Sequence, residues 1–367
     1  MSKELRSGYT TGTHATAVLG AVLVEFYKSE KILSLDVSLP KVDASVKIDV
    51  TRESKWHFST IKVDNDDLDV TKGCCIHAEL FLSTPVDLKA QKPSQIELGE
   101  TKLLIYGGNG VGIVTKAGLK ISPEYPAINP VPLEMMKDIA SSLVDKDETR
   151  VLHLVISVDD GMRIAKDTAN EKVGVIGGIS ILGTRGIVKP ISADAYLDSI
   201  DAEISVIEAS ASKEVILTLG NSAHDYSNKN YDKNIVVEIG NFIYDASLRL
   251  KGRKFKKMVF VASVAKMCKI AQECKNTHNR FGGIDFDEVK LWLIKELKID
   301  LTSDEYLTLK AVLQKLPEKE TKLFTTFLGY KAAQSFKKWF IELDIEINEI
   351  EIITLNGDDV NNKELRW

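Results

Sequence analysis

Residues 8–17 read GYTTGTHATA, four threonines, two glycines and a histidine set directly before the apolar run AVLGAVLVEF that continues to Phe26. Such a stretch can cradle a phosphate, present His14 to a reaction, or cap a buried helix. Gly8 and Gly12 lack the spacing of a P-loop and no lysine stands where one would be needed, which excludes an ordinary nucleotide cradle. Threonines before an apolar helix are also plain N-cap chemistry, their hydroxyls accepting from the free N–H groups of the first turn.

Four other stretches carry residues able to do chemistry. GGNGVGIVTKAGLK (107–120) approaches a dinucleotide fingerprint but lacks the third glycine of GxGxxG, and an extended TKAGLK stands where a helix should start. It reads either as a hairpin or as backbone that must approach a ligand closely, with Lys116 beside it. GGISILGTRGIVKPIS (177–192) combines glycines that expose N–H groups with Arg185, whose guanidinium could fork onto a carboxylate. DNDDLDVTKG (64–73) is a cation site or an exposed turn. NTHNRFGG (276–283) places His278 after a helix whose outer face is expected to carry Lys266 and Lys269.

No Ser-His-Asp order, HExxH motif or cysteine redox pair can be assembled, so chemistry carried by a bound cofactor fits better than a protein nucleophile. The four cysteines form neither a disulfide framework nor a zinc quartet. Cys74 and His77 have ligand-like spacing without a second pair to answer them, and read as two buried strand residues; no metal site is expected.

The elements that must position these residues follow from periodicity. Behind the threonine loop, LSLDVSLP, ASVKIDVTRE, HFSTIKVD, CIHAELFLS and TKLLIYGG alternate polar and apolar residues as strands, and NPVPLEMMKDIASSLV reads as an amphipathic helix. These make an α+β N-terminal domain over 1–148, closed by the charged stretch DKDETR. From 149 to 367, VLHLVISV, VGVIGGIS, EVILTLG, NIVVEIG and KMVFVAS alternate with helical patterns. That alternation predicts an α/β domain with a mostly parallel, Rossmann-like sheet, followed by a helical C-terminal region from about Asp287 and a last strand, IEIITL. Its ligand turns should lie at strand ends, among them LGNSAHDY, IGNFIYD and VASVAK.

A chain of 367 residues, 44% hydrophobic and 28% charged with net charge −5, has the profile of a globular protein with no overall attraction to nucleic acid or anionic lipid. MSKELRSGYTTG has no apolar segment behind its charges and Ala15 to Val24 is too short to span a bilayer, so a cytoplasmic location is expected. Assembly into a homo-oligomer is left open.

Taken in order, LRSGYTTGTHATA, NGVGIVTKAGL with PAINPVP, VGVIGGISILGTRGIVKPIS, GNFIYDASL and KMCKIAQECKNTH resemble the CbiD family, the cobalt-precorrin-5B C-1-methyltransferases of anaerobic cobalamin biosynthesis, over roughly residues 5–285. The resemblance implies methyl transfer from S-adenosyl-L-methionine to a ring carbon of a cobalt-bound tetrapyrrole, converting cobalt-precorrin-5B to cobalt-precorrin-6A. A sulfonium methyl is already activated, so the protein need mainly align donor and acceptor and exclude water. The acceptor's acetate and propionate groups would be met by Arg6, Lys116, Arg185 and Lys189 and by Thr10, Thr11, Gly12 and Thr13 at a helix N-terminus. By topology, the donor is placed near Gly177, Gly178, Gly183, Gly220 and Asn221. The chain departs from the family's usual residues at His14, at Leu68 in DDLD, and at Ala262 to Ala265, where relatives carry a GHxGK turn. A non-catalytic tetrapyrrole carrier is the alternative reading.

Overall fold

A computed structural model describes residues 6–40, 44–65, 69–145, 147–188, 193–302, 305–357 and 359–366. The chain divides into two compact units, Met1–Ala193 and Asp194–Trp367.

In the first unit the Thr11–Lys28 helix is buried on every side from Thr11 to Glu25. An all-round apolar helix has no solvent face to offer, and here it is enclosed. It packs on the Pro130–Leu143 helix, on the Ser34–Ser38 strand, and on the His57–Ile61 and Cys75–Phe81 strands of a six-stranded sheet. The order in that sheet is 51–54, 57–61, 75–81, 151–158, 101–107, 94–98. All its neighbours are antiparallel except Val151–Val158 and Thr101–Gly107, which are parallel. Ser34–Ser38 and Ser45–Asp49 form a separate two-stranded sheet.

The compact-unit boundary therefore falls at Ala193 rather than at 148. VLHLVISV has the continuous apolar character of a buried parallel strand, yet it is taken into the first sheet between Cys75–Phe81 and Thr101–Gly107. The following VGVIGGIS does not join a large sheet. Its Val175–Ile176 pairs with Ile113–Val114, and its Gly178–Ile179 with Gly110–Val111.

Backbone-on-backbone contact explains the glycines of these two stretches. Gly110 has φ +77°, and a Cβ there would overlap the Val158 carbonyl. Side chains at Gly161 or Gly178 would each overlap the Gly110 carbonyl. At Gly110 the close approach of GGNGVG is thus made to the chain's own main chain.

The second unit holds one five-stranded sheet, ordered 236–238, 214–219, 257–263, 349–356, 359–366. Three neighbouring pairs are parallel, and the final pair is antiparallel. The closing strand Asp359–Arg366 is an addition to the sequence reading, because DVNNKELR is polar and acquires strand structure by pairing along Glu349–Asn356. Central strands are covered on both faces, which is why they read as unbroken apolar runs. Val215, Leu217, Met258 and Phe260 pack with Ile204, Phe336 and Trp339, while Ile216, Val259 and Val261 face Ala223. The C-terminal region supplies the Phe286–Trp292, Leu309–Leu313 and Glu318–Leu343 helices.

Gly178→Ala should destabilise the protein by about 1–3 kcal/mol or more, since the Gly110 backbone must move. Gly177, with φ +86° and open space around it, should accept alanine at a cost of only about 1 kcal/mol from its backbone conformation. Urea midpoints of the two variants measure the difference; equal midpoints would contradict the crossing.

Candidate functional site

Thr10 caps the first helix, its Oγ1 accepting from Thr13 N at 3.3 Å. Beyond that cap, the Thr11 and Thr13 hydroxyls and the Thr10 and Gly12 N–H groups bind the 180–186 segment. Thr13 Oγ1 donates to the Gly186 carbonyl at 2.8 Å, Gly12 N to the Leu182 carbonyl at 3.0 Å and Thr10 N to the Gly186 carbonyl at 3.0 Å. Thr11 Oγ1 accepts from Leu182 N at 2.9 Å and has the Ser180 and Leu182 carbonyls at 3.3 and 3.2 Å. Thr10, Thr11 and Thr13 are buried. The expected carboxylate cradle of Thr10, Thr11, Gly12 and Thr13 is in this structure a clamp that shapes GGISILGTRG. Gly183, φ +147°, belongs to the same clamp, since a Cβ there would overlap the Thr10 side chain.

His14 is also structural. Fully buried, it accepts at Nε2 from Val63 N (3.4 Å), which assigns the proton to Nδ1, directed at Thr60 Oγ1 (3.3 Å); Thr60 in turn donates to the Asp49 carbonyl (2.7 Å). Burial, and secondarily the nearby Lys62 ammonium, lowers its pKa to about 4. Lys62 is itself buried in an ion pair with Asp69, which also accepts from Thr71 N and Oγ1. Burial pushes the Asp69 carboxyl up, but the Lys62 charge and these hydrogen bonds leave it below its usual value. Asp69 is thereby occupied by a lysine; Asp66, Asp67 and Leu68 lie outside the described residues.

The cationic candidates are distributed along the first unit. Arg6 pairs with Asp64 at 3.2 Å, both well exposed. Lys116 donates to the Lys172 carbonyl at 3.3 Å, its stem lying over Gly174. Arg185 is exposed on the clamped segment, and Lys189 lies outside the described residues. Gly177 is exposed with nothing near it, whereas Gly178 is buried in the main-chain crossing.

The donor candidates are not brought together within one unit: Gly177, Gly178 and Gly183 belong to the first, Gly220 and Asn221 to the second. Gly220 ends the Glu214–Leu219 strand at φ +90°, and Asn221 opens the helix that follows. Beside it, Ser263 ends the Lys257–Ser263 strand and Gly240, φ +54°, follows Val236–Glu238. These turns share the carboxyl edge of the parallel strands.

At this edge Lys266 and Asn241, from the expected turns VASVAK and IGNFIYD, are joined by Lys269 and Thr277, which sequence reasoning placed elsewhere. Lys266 Nζ donates to Asn241 Oδ1 at 2.8 Å, with the Thr277 carbonyl and Oγ1 at 3.4 Å. Thr277, fully buried, donates from Oγ1 to Asn241 Oδ1 at 2.8 Å. Lys269 reaches the carbonyls of Thr277 (3.0 Å) and Gly282 (3.1 Å) and is 6% exposed. Neither lysine sits on an outer helix face. The return of residues 275–277 onto the 239–244 turn buries them, a tertiary event without a local signal beyond the short spacing in KMCKIAQECKNTH. Burial, then the charge of Lys269, lowers the Lys266 pKa. Two partly desolvated ammonium groups at a strand edge form a corner suited to a carboxylate. His278, by contrast, is exposed and accepts from Arg280 N.

The arrangement is that of a mixed α/β protein whose second unit offers a polar, cationic strand edge. The CbiD family model matches residues 1–190, ending beside the unit boundary, and the chain belongs to that family. Relatives bear the name cobalt-precorrin-5B C(1)-methyltransferase. The one from Thermoanaerobacter sp. is 34% identical, over 76% of this chain and 72% of its own. That from Picrophilus torridus is 36% identical over 77% and 80%, and that from Sulfurisphaera tokodaii 32% identical over 98% and 97%. A crystal structure of the cobalamin biosynthesis protein CbiD from Archaeoglobus fulgidus is 28% identical over 72% of this chain and 79% of that one, at a TM-score of 0.38. Among the described residues no helix is long and apolar enough to cross a membrane.

Because the folded pKa of His14 lies below 6.5, the unfolded chain binds more protons between about pH 6.5 and about 4. His14's contribution to stability is complete above that window and is lost as pH falls through it, on the order of 3 kcal/mol. His14→Gln should flatten the urea midpoint over this range, while acid loss from paired carboxylates persists in both proteins. Parallel curves would show that His14 is not buried neutral.

Proposed function

We propose that this chain methylates C-1 of cobalt-precorrin-5B, with S-adenosyl-methionine as donor, yielding cobalt-precorrin-6A in cobalamin biosynthesis. The observation that carries the reading is its 32–36% identity to relatives of that name, in one case along 98% of the chain. S-adenosyl-methionine would supply a methyl already activated by its sulfonium, so what is asked of the protein is alignment and exclusion of water.

The donor is assigned to the second unit, read as a doubly wound, Rossmann-like sheet. Its four parallel strands run, in space, second, first, third, fourth in chain order, so the crossovers leave in opposite directions between Glu214–Leu219 and Lys257–Ser263. Ligands of such sheets occupy the crevice at that switch point. Gly220 and Asn221 border it, the former offering backbone without a Cβ. Lys266, held by Asn241 and Thr277, supplies positive charge for the donor's carboxylate.

The acceptor's carboxylates are assigned to Arg185 on the clamped segment, with Lys116, Arg6 and Lys189 as further cations. Thr10, Thr11, Gly12 and Thr13 serve this site by holding the 180–186 backbone.

Labelled methyl from S-adenosyl-methionine should appear in the precorrin under anaerobic conditions. A clean negative with a competent acceptor that still binds would instead make the chain a tetrapyrrole carrier. Calorimetric titration with S-adenosyl-homocysteine tests the donor site: Lys266→Met should weaken binding by about 1–3 kcal/mol, the cost of a charged hydrogen bond, and unchanged affinity would remove Lys266 from it. Arg185→Ala should weaken acceptor binding by a similar ~1–3 kcal/mol and leave donor affinity intact.

A further inference from the structure

We propose that Cys75, His77 and Asp159 bind a divalent ion of the zinc class, held by the protein itself and distinct from any cobalt carried in the substrate. Cys75 and His77 lie two apart on the Cys75–Phe81 strand and so share a face. The neighbouring Val151–Val158 strand pairs Val158 with Ile76, and the chain leaving it brings Asp159 alongside, its N–H donating to the Cys75 carbonyl at 2.9 Å. One sulfur, one imidazole nitrogen and one carboxylate oxygen then lie within 4.8 Å of one another. A tetrahedral ion with bonds of about 2.0–2.3 Å needs ligand separations of roughly 3.3–3.8 Å, a closure that side-chain rotation supplies.

A second observation points to a cation here. His77 Nε2 is buried and makes no hydrogen bond, although Asp159 Oδ2 is 3.3 Å away. The other ring nitrogen, Nδ1, lies 3.3 Å from His57 Nε2. With the His77 proton on Nδ1, donating to His57, the Nε2 lone pair faces the Asp159 carboxylate. Such an arrangement is repulsive by itself and complementary to a metal, with His57 orienting the ligand as outer-shell partners do. Thiolate and imidazole favour zinc or cobalt(II) over magnesium or calcium. The adjoining surface hollow, lined by Lys72, Asp160, Arg163 and Asp167, gives an entry path and room for a water as fourth ligand.

Anaerobic titration of the chelator-stripped full chain with Co2+ alone tests this. A thiolate-to-cobalt absorption band should saturate at one ion per chain and be displaced by Zn2+. Cys75→Ser should abolish the band, whereas Cys74→Ser, altering the neighbouring buried thiol, should retain it. His57→Ala should keep the band but weaken zinc binding about 10–100-fold, as for other outer-shell partners. If Cys75→Ser fails to fold, Asp159→Asn, at an exposed position, should weaken zinc at least about 10-fold. No band in the parent chain, a band surviving in folded Cys75→Ser, or unaltered zinc affinity in Asp159→Asn would overturn the proposal.

Discussion

The first unit depends on a place where three stretches of main chain meet with no side chain between them. Gly110, Gly161 and Gly178 come from segments far apart in sequence, and the Gly110 carbonyl occupies the space that a Cβ on either partner would fill. This contact brings GGNGVG and VGVIGGIS together, leaving GISILGTRG to run on to the threonine loop. A second constraint then takes over, because the Thr11 and Thr13 hydroxyls and the Thr10 and Gly12 N–H groups bind the carbonyls of that run. Two stretches that look like ligand loops are in effect each other's ligand.

That has a bearing on which groups remain for chemistry. A threonine whose donor is satisfied by a buried carbonyl is a poor host for a substrate carboxylate, since leaving that carbonyl unpaired is costly. Groups such as Arg185, carried on the clamped backbone, gain from its rigidity instead. In the second unit the same reasoning supports the proposed strand edge. Lys266 and Lys269 are drawn inward by Thr277, and their mutual repulsion in a drier environment favours an anion nearby.

Much of the architecture was readable. The apolar run behind the threonines is a fully enclosed helix, the alternating segments of the first half are strands, and EVILTLG, NIVVEIG and KMVFVAS enter one sheet in parallel. The misplaced pieces share one cause. VLHLVISV looks the same whether it is buried in one sheet or another, because an unbroken apolar strand carries no information about its neighbours. Likewise the polar closing strand has no pattern of its own and is defined by its partner.

The sequence by itself determined local chemistry: which segments could be helix or strand, where glycine had to stand, the threonine cap and the ordered motifs of the CbiD family. Tertiary structure alone decided partnership. It turned a presumed ligand loop into a clamp, made Gly178 a packing residue, carried Lys269 from an expected surface to the interior, and put Asp159 beside Cys75 and His77. The physical reason is that backbone conformation and burial pattern are encoded within a few residues, whereas a hydrogen-bond partner or a close approach depends on segments that only folding brings together.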